Sequence, residues 1–161
     1  MREIRELAAS DRAWSGALLC ENFDSTRVVS LGRLHDAVDL PGLVVVDDDA
    51  PVGLLHYSID GPQCEVVALV VERPREGIGT ALLAALRERA STAGCKRAWL
   101  VTTNDNAAAQ AFYLALGWRL VAVHEGAIAL SRLLKPEIPV LGIDGIPLED
   151  EIEFDWDLGR A

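Results

Sequence analysis

Apolar and polar residues along this chain alternate with two periods, and each period predicts its own elements. Residues 10–24 follow the helical one: Ser10 and Asp11 offer caps, and Trp14, Ala17, Leu18 and, after a turn, Cys20 form an apolar stripe. Pro41-Gly42 then breaks the chain. The β-branched run Leu43-Val44-Val45-Val46, closed by Asp47-Asp48-Asp49, predicts a strand and a tight turn. Residues 52–59 predict the returning strand, and Gly61-Pro62 the next turn. Residues 63–71 predict a third strand, with Glu65, Val67, Leu69 and Val71 on one face and Cys64, Val66, Ala68 and Val70 on the other. Both faces are largely apolar, so this strand is expected to be covered on two sides.

The helical period returns over residues 77–93, where Ile78, Leu82, Leu83, Leu86 and Ala90 share a stripe and Gly94 supplies the stop. A strand is predicted over 97–103 and a turn over 104–106. A helix follows over 107–116, closed by Gly117, and then a strand over 118–124. Prolines and glycines punctuate 135–148, which reads as an extended loop. Residues 149–157 alternate again, with Ile152, Phe154 and Trp156 on one face and Glu151, Glu153, Asp155 and Asp157 on the other. That pattern predicts a half-buried strand with an acidic outer face, able to pair within the chain or with a second copy as a homodimer. The whole reads as one α/β domain over 1–161, its core in about 1–134. An antiparallel meander leads into a strand–helix–strand–helix unit in a mixed sheet.

At 161 residues the chain can bury one sizeable core. Its 25 acids against 15 Lys and Arg give a formal charge of -10. Such a balance excludes gripping a phosphate backbone or an anionic lipid surface, so no nucleic acid and no membrane partner is expected. The charge is uneven: residues 137–157 hold eight acids and no base, whereas 72–97 hold six bases against three acids. Three scattered cysteines suggest reduced thiols in a cytoplasmic protein. No apolar run reaches a membrane-spanning length, and the first residues lack an apolar signal core. His35, His56 and His124 have no ligand-spaced partner, so no metal is expected.

The segment that carries chemistry is 70–83, where a buried strand ends, a short loop turns and Gly77-Ile78-Gly79 opens a helix. First-turn amides lack intrahelical partners and lie at the positive end of the helix dipole, so this junction suits pyrophosphate. It is not a P-loop, which needs four residues between its glycines followed by Lys-Ser/Thr. Nor is it the dinucleotide fingerprint, because Leu82 occupies the third glycine position and Asn104 the place of the acidic ribose ligand. The chain resembles instead the GNAT family of N-acetyltransferases, over roughly residues 1–124 and most specifically 63–118. That family's Gly-x-Gly/Ala loop matches Gly77-Ile78-Gly79, and its later Asn, Phe-Tyr pair and Gly-Phe ending match Asn104, Phe112-Tyr113 and Gly117-Trp118. One departure is Pro74, which stands where the family commonly has Arg or Gln; Arg73 and Arg75 flank it.

The resemblance implies a mixed, largely antiparallel central sheet with helices on both faces. It also implies transfer of an acetyl group from acetyl-CoA to a primary amine of a small molecule or protein by direct attack. Leu69, Val70 and Val71 would then offer backbone groups to the pantetheine arm. The loop amides at Gly77, Ile78, Gly79, Thr80 and Ala81, with Arg75, would hold the phosphates. Asn104, Asn106 and Phe112 would complete the cofactor site, and Tyr113 would protonate the departing thiolate. A base is also needed, because an ammonium is not nucleophilic. Glu65, the only ionisable residue within its apolar strand, is the leading candidate ahead of Glu72 and His124. The acceptor site is expected from the first helix, residues 31–40 and the tail. The competing reading is a non-catalytic acyl-CoA-binding regulatory module, which needs neither Tyr113 nor Glu65.

Overall fold

The computed structural model describes residues 1–159. Its order along the chain is β1 (Arg2–Glu6), α1 (Arg12–Phe23), β2 (Arg27–Ser30), β3 (Arg33–Asp36), β4 (Gly42–Asp47), β5 (Ala50–Asp60) and β6 (Gln63–Val71). There follow α2 (Ile78–Thr92), β7 (Arg97–Thr103), α3 (Ala107–Ala115), β8 (Arg119–His124), α4 (Ala127–Leu134) and β9 (Glu151–Asp157). Seven strands form one sheet in the order β1-β4-β5-β6-β7-β9-β8, and β2 and β3 form a separate hairpin. Every neighbouring pair in the large sheet is antiparallel except β6 and β7.

Apolar residues cover the sheet on both sides. On one face Leu82, Leu83 and Leu86 of α2 and Tyr113 of α3 pack with Leu55, Leu100 and Phe154. On the other, Leu18 and Leu19 of α1 pack with Leu54, Val67, Ala68 and Val70. The expected α/β fold, with helices on both faces of a mixed, largely antiparallel sheet, is the fold observed.

A β-bulge changes the expected faces of β6. His56 of β5 pairs with Ala68 and Tyr57 with Val66, so Val67 is an extra residue on β6. The alternation reverses there. Cys64, Val66, Leu69 and Val71 join the α2 side, while Val67, Ala68 and Val70 join the α1 side. Glu65 therefore does not share a face with Leu69 and Val71, as strict alternation requires.

The acidic strand also differs from expectation. β9 lies inside the sheet between β7 and β8, and Phe154 is fully buried, so the core does not end near residue 134. Its acidic face is covered rather than solvated: Glu151, Glu153 and Asp155 are all buried. Arg97 pairs with Glu153 and, at 2.8 Å, with Asp155. Arg119 reaches Asp155 at 2.9 Å, and His124 Nε2 lies 2.8 Å from Glu153. Three strands are thus cross-linked by charge.

The other differences are elements with weak periodicity. β1, Arg-Glu-Ile-Arg-Glu, has one apolar residue and is held by its pairing with β4. The β2–β3 hairpin turns at Leu31-Gly32, whose φ values of 45° and 77° are both left-handed, as a tight hairpin turn requires. No helix among the described residues is long and apolar enough to cross a membrane.

Burial raises the Asp155 carboxyl, but Arg119 and Arg97 outweigh it and hold the group below the usual carboxylate range. Its stabilising effect is therefore present at neutral pH and is lost as pH falls through its lowered value. Asp155→Asn should lower Tm at pH 7, and the gap from wild type should close in acid below about pH 4. A gap that widens in acid would contradict these pairings.

Candidate active site

The glycine loop starts where β6 ends. Arg75 and Gly77 take positive φ values of 66° and 77°, which turn the chain sharply into α2. Ala81 makes the first bond of the helix, its amide donating to Gly77 O at 3.0 Å. The amides of Ile78, Gly79 and Thr80 precede that bond and point out of the helix start. Ala81, expected among the phosphate ligands, has its amide engaged within the helix. A Cβ on Gly79 would stand 3.2 Å from Phe112 Cζ and 3.5 Å from Val71 Cγ2, so glycine lets α2, α3 and β6 close together. Arg73 is tied to Asp47 at 2.9 Å, and Arg2 bonds both Asp47 and Glu76. Arg75 is exposed and forms no ion pair among the described residues.

Beside this loop the sheet opens. The parallel strands β6 and β7 pair only at Gln63–Arg97, Cys64–Ala98 and Glu65–Trp99. Beyond them β6 stays bonded to β5 and β7 to β9, and the two strands diverge. Leu69, Val70 and Val71 therefore have sheet partners on the β5 side alone. The opening leads to a cavity of about 380 Å³, lined on its floor by Glu65, Val67, Val101 and Thr103 and elsewhere by residues of α1, the hairpin, α4 and the tail.

Glu65 is buried on the floor of this cavity. Ser30 Oγ donates to its Oε2, and His35 Nε2 lies 3.1 Å from its Oε1. Burial pushes the Glu65 carboxyl above its ordinary value, against the opposing pull of Ser30 and His35. Tyr113 stands on the opposite face in an aromatic cluster. Its ring centroid lies 5.4 Å from Phe112, 5.7 Å from Phe154 and 6.1 Å from Trp118. Burial pushes its phenol up to about 12. Glu65 and Tyr113 are thus buried on opposite faces of the sheet.

The two asparagines diverge in their use. Asn106 caps α3, its Oδ1 accepting from the Ala109 amide at 3.0 Å, and it also lines the cavity. Asn104 straps down the tail instead: its Nδ2 donates to Pro147 O at 2.9 Å, and its Oδ1 accepts from the amides of Glu149 and Asp150. Its oxygen is filled and one of its two Nδ2 hydrogens is used, so this carboxamide serves the tail. Of the weaker base candidates, Glu72 is exposed and His124 is paired with Glu153.

Four site residues escaped the sequence reading: Ser30, His35, Glu151 and Lys135. Glu151 lines the same cavity, accepting from the Leu31 amide at 2.8 Å and from Ser131 Oγ at 2.7 Å. Lys135 is buried with its Nζ 2.6 Å from Phe23 O at the end of α1. The only sequence signal for them was the weak prediction that residues 31–40 and the tail build the acceptor side.

The family model described as "Acetyltransferase (GNAT) family" matches residues 5–118, and the chain belongs to that family. Among its relatives is the uncharacterized protein YdhI of Bacillus subtilis (strain 168), 43% identical over 117 residues, spanning 72% of this chain and 73% of the relative. Of solved structures, an IAA acetyltransferase from Bacillus cereus ATCC 14579 superposes with a TM-score of 0.74 at 18% identity, covering 98% of this chain and 99% of the other. A GNAT family acetyltransferase from Elizabethkingia anophelis with acetyl-CoA bound superposes at 0.68 and 15% identity, covering 97% of both chains.

Asn104→Ala removes three hydrogen bonds to the tail and should cost about 1–3 kcal/mol, read as a lower urea midpoint with an unchanged slope. Full stability together with weakened CoA binding would contradict the strap and place Asn104 in the cofactor site.

Proposed function

We propose that this protein transfers the acetyl group of acetyl-CoA to a primary amine of a small molecule. The observation that carries this reading is the opening between β6 and β7, with a buried carboxylate on one face and a buried phenol on the other. Family membership and a fold shared with a neighbour that holds acetyl-CoA support it. The residues fit that donor. Three helix-start amides, at Ile78, Gly79 and Thr80, suit a pyrophosphate, and Arg75 adds a free cation beside them. The unpaired edge of β6 at Leu69, Val70 and Val71 suits an extended amide-bearing arm, and Asn106 presents its remaining polar atoms to the cavity.

Acetyl-CoA, when bound, supplies a thioester carbonyl open to attack by nitrogen. Glu65 takes a proton from the acceptor's ammonium, which frees the lone pair. Ser30 and His35 fix the direction of that carboxylate and favour its ionised form against the effect of burial. Tyr113, raised to about 12, stays protonated through the neutral range and would give its proton to the sulfur as the C–S bond breaks; the excess proton on the newly acylated nitrogen would then restore the phenol. A merely CoA-binding module has no use for either buried group.

Because Glu65 acts ionised and burial raises it, kcat/KM should fall on the acid side of a limb above the ordinary glutamate value of about 4.3. Glu65→Gln should abolish that limb and lower kcat/KM by about 10²-fold or more in a thiol-release assay across primary amines. His35→Leu removes a group that pulls Glu65 down, so it should move the limb toward higher pH. A limb that stays in place in both variants would remove Glu65 as the base. Tyr113→Phe should lower kcat by about 10²-fold while leaving the Kd for CoA nearly unchanged; an undiminished kcat would remove Tyr113 as the donor.

A further inference from the structure

The cavity above Glu65 carries more negative charge than one base requires. Asp24, Glu65, Asp105, Glu137 and Glu151 line it, against Lys135 alone. Most of these have local explanations. Asp105 bonds the Thr103 hydroxyl and the Ile143 amide. Asp24 and Glu137 face Lys135, whose Nζ is already anchored to Phe23 O, and Glu137 also meets Arg27 at 3.9 Å.

Glu151 is different. It is only 2% exposed, its oxygens accept from a neutral amide and a neutral hydroxyl, and it forms no ion pair among the described residues. A carboxylate in such a place is costly without a counter-charge. Its neighbours on the same strand show the contrast, since Glu153 and Asp155 have Arg97, Arg119 and His124.

Consecutive residues of the hairpin tip bind the two carboxylates. Ser30 Oγ bonds Glu65 and the Leu31 amide bonds Glu151, and adjacent Cα atoms lie about 3.8 Å apart. Each carboxylate uses two of about four acceptor positions, so each can take a further donor. The apolar walls at Val67, Val101 and Ile128 suit a short methylene chain.

We infer that the acceptor carries two ammonium groups: Glu151 holds one as its missing counter-ion while the other is presented to Glu65. The substrate class is a small aliphatic diamine or polyamine. This rests on the transfer reading above and extends it to specificity.

Calorimetric titration of the protein in the presence of CoA, with putrescine, butylamine and ornithine as probes, tests it. Putrescine should bind about tenfold or more tightly than butylamine, the gain expected of one charged hydrogen-bonded pair. Glu151→Gln should bring the two Kd values together. In steady-state assays the same variant should raise the KM ratio of putrescine to butylamine. Equal binding of butylamine by wild type, tighter binding of ornithine, or an undiminished preference in Glu151→Gln would overturn the inference; the wild-type comparison decides alone if the variant does not fold. Tighter putrescine binding that Glu151→Gln abolishes, without thiol release from acetyl-CoA, would leave the two-ammonium binding site standing and defeat the transfer reading. Thiol release that favours butylamine would do the reverse.

Discussion

The short parallel pairing of β6 and β7 governs the rest of the molecule. Three residue pairs join the two halves of the sheet, and then the strands separate. The cause lies close by. Val67 bulges two residues after Glu65, the last paired residue of β6, and a bulge bends its strand and increases its twist. β6 is thereby drawn away with β5, while β7 is held by seven pairs to β9. The bulge also turns Glu65 onto the α1 face while Leu69 and Val71 pack toward α2. One irregularity therefore accompanies the opening and places the carboxylate on its α1 side.

An open sheet needs compensation elsewhere. The half formed by β7, β9 and β8 is tied by Arg97, Arg119 and His124 to Glu153 and Asp155, which supplies the rigidity that continuous pairing to β6 would otherwise provide. The hairpin then roofs the gap from the side of α1, fixed through Glu65 and Glu151. Structural and site carboxylates alternate with core residues on a single strand. Glu153 and Asp155 are neutralised within the protein, and Glu151 faces the cavity.

Much of this was legible in the sequence because strong periodicity is local. The meander β4–β6, the helices α2 and α3, and strand β7 each show a clear stripe or alternation, and the glycines at 77 and 79 announce the helix start. Glu65 stood out as a lone ionisable residue in an apolar strand. What was hidden depends on distant partners. Strict alternation could not reveal the Val67 bulge, because the residues from 66 to 71 are all apolar and no polar residue marks the phase. The alternation of β9 was readable, but not which face meets water: Arg97 lies more than fifty residues away, and Ser131 and Leu31 come from other elements. The tail strap at Asn104 was hidden because a strap and a ligand use the same carboxamide. Ser30 and His35 sit in strands too short to show a period.

The central claim is that the opening between β6 and β7 joins a donor side at Tyr113 to an acceptor side at Glu65. A crystal structure of the protein with CoA tests it most directly. The pantetheine arm should lie along Leu69–Val71 in that opening, with the pyrophosphate at Ile78–Thr80 and the thiol between Tyr113 and the Glu65 cavity. CoA bound outside the opening, or a thiol remote from both side chains, would contradict it.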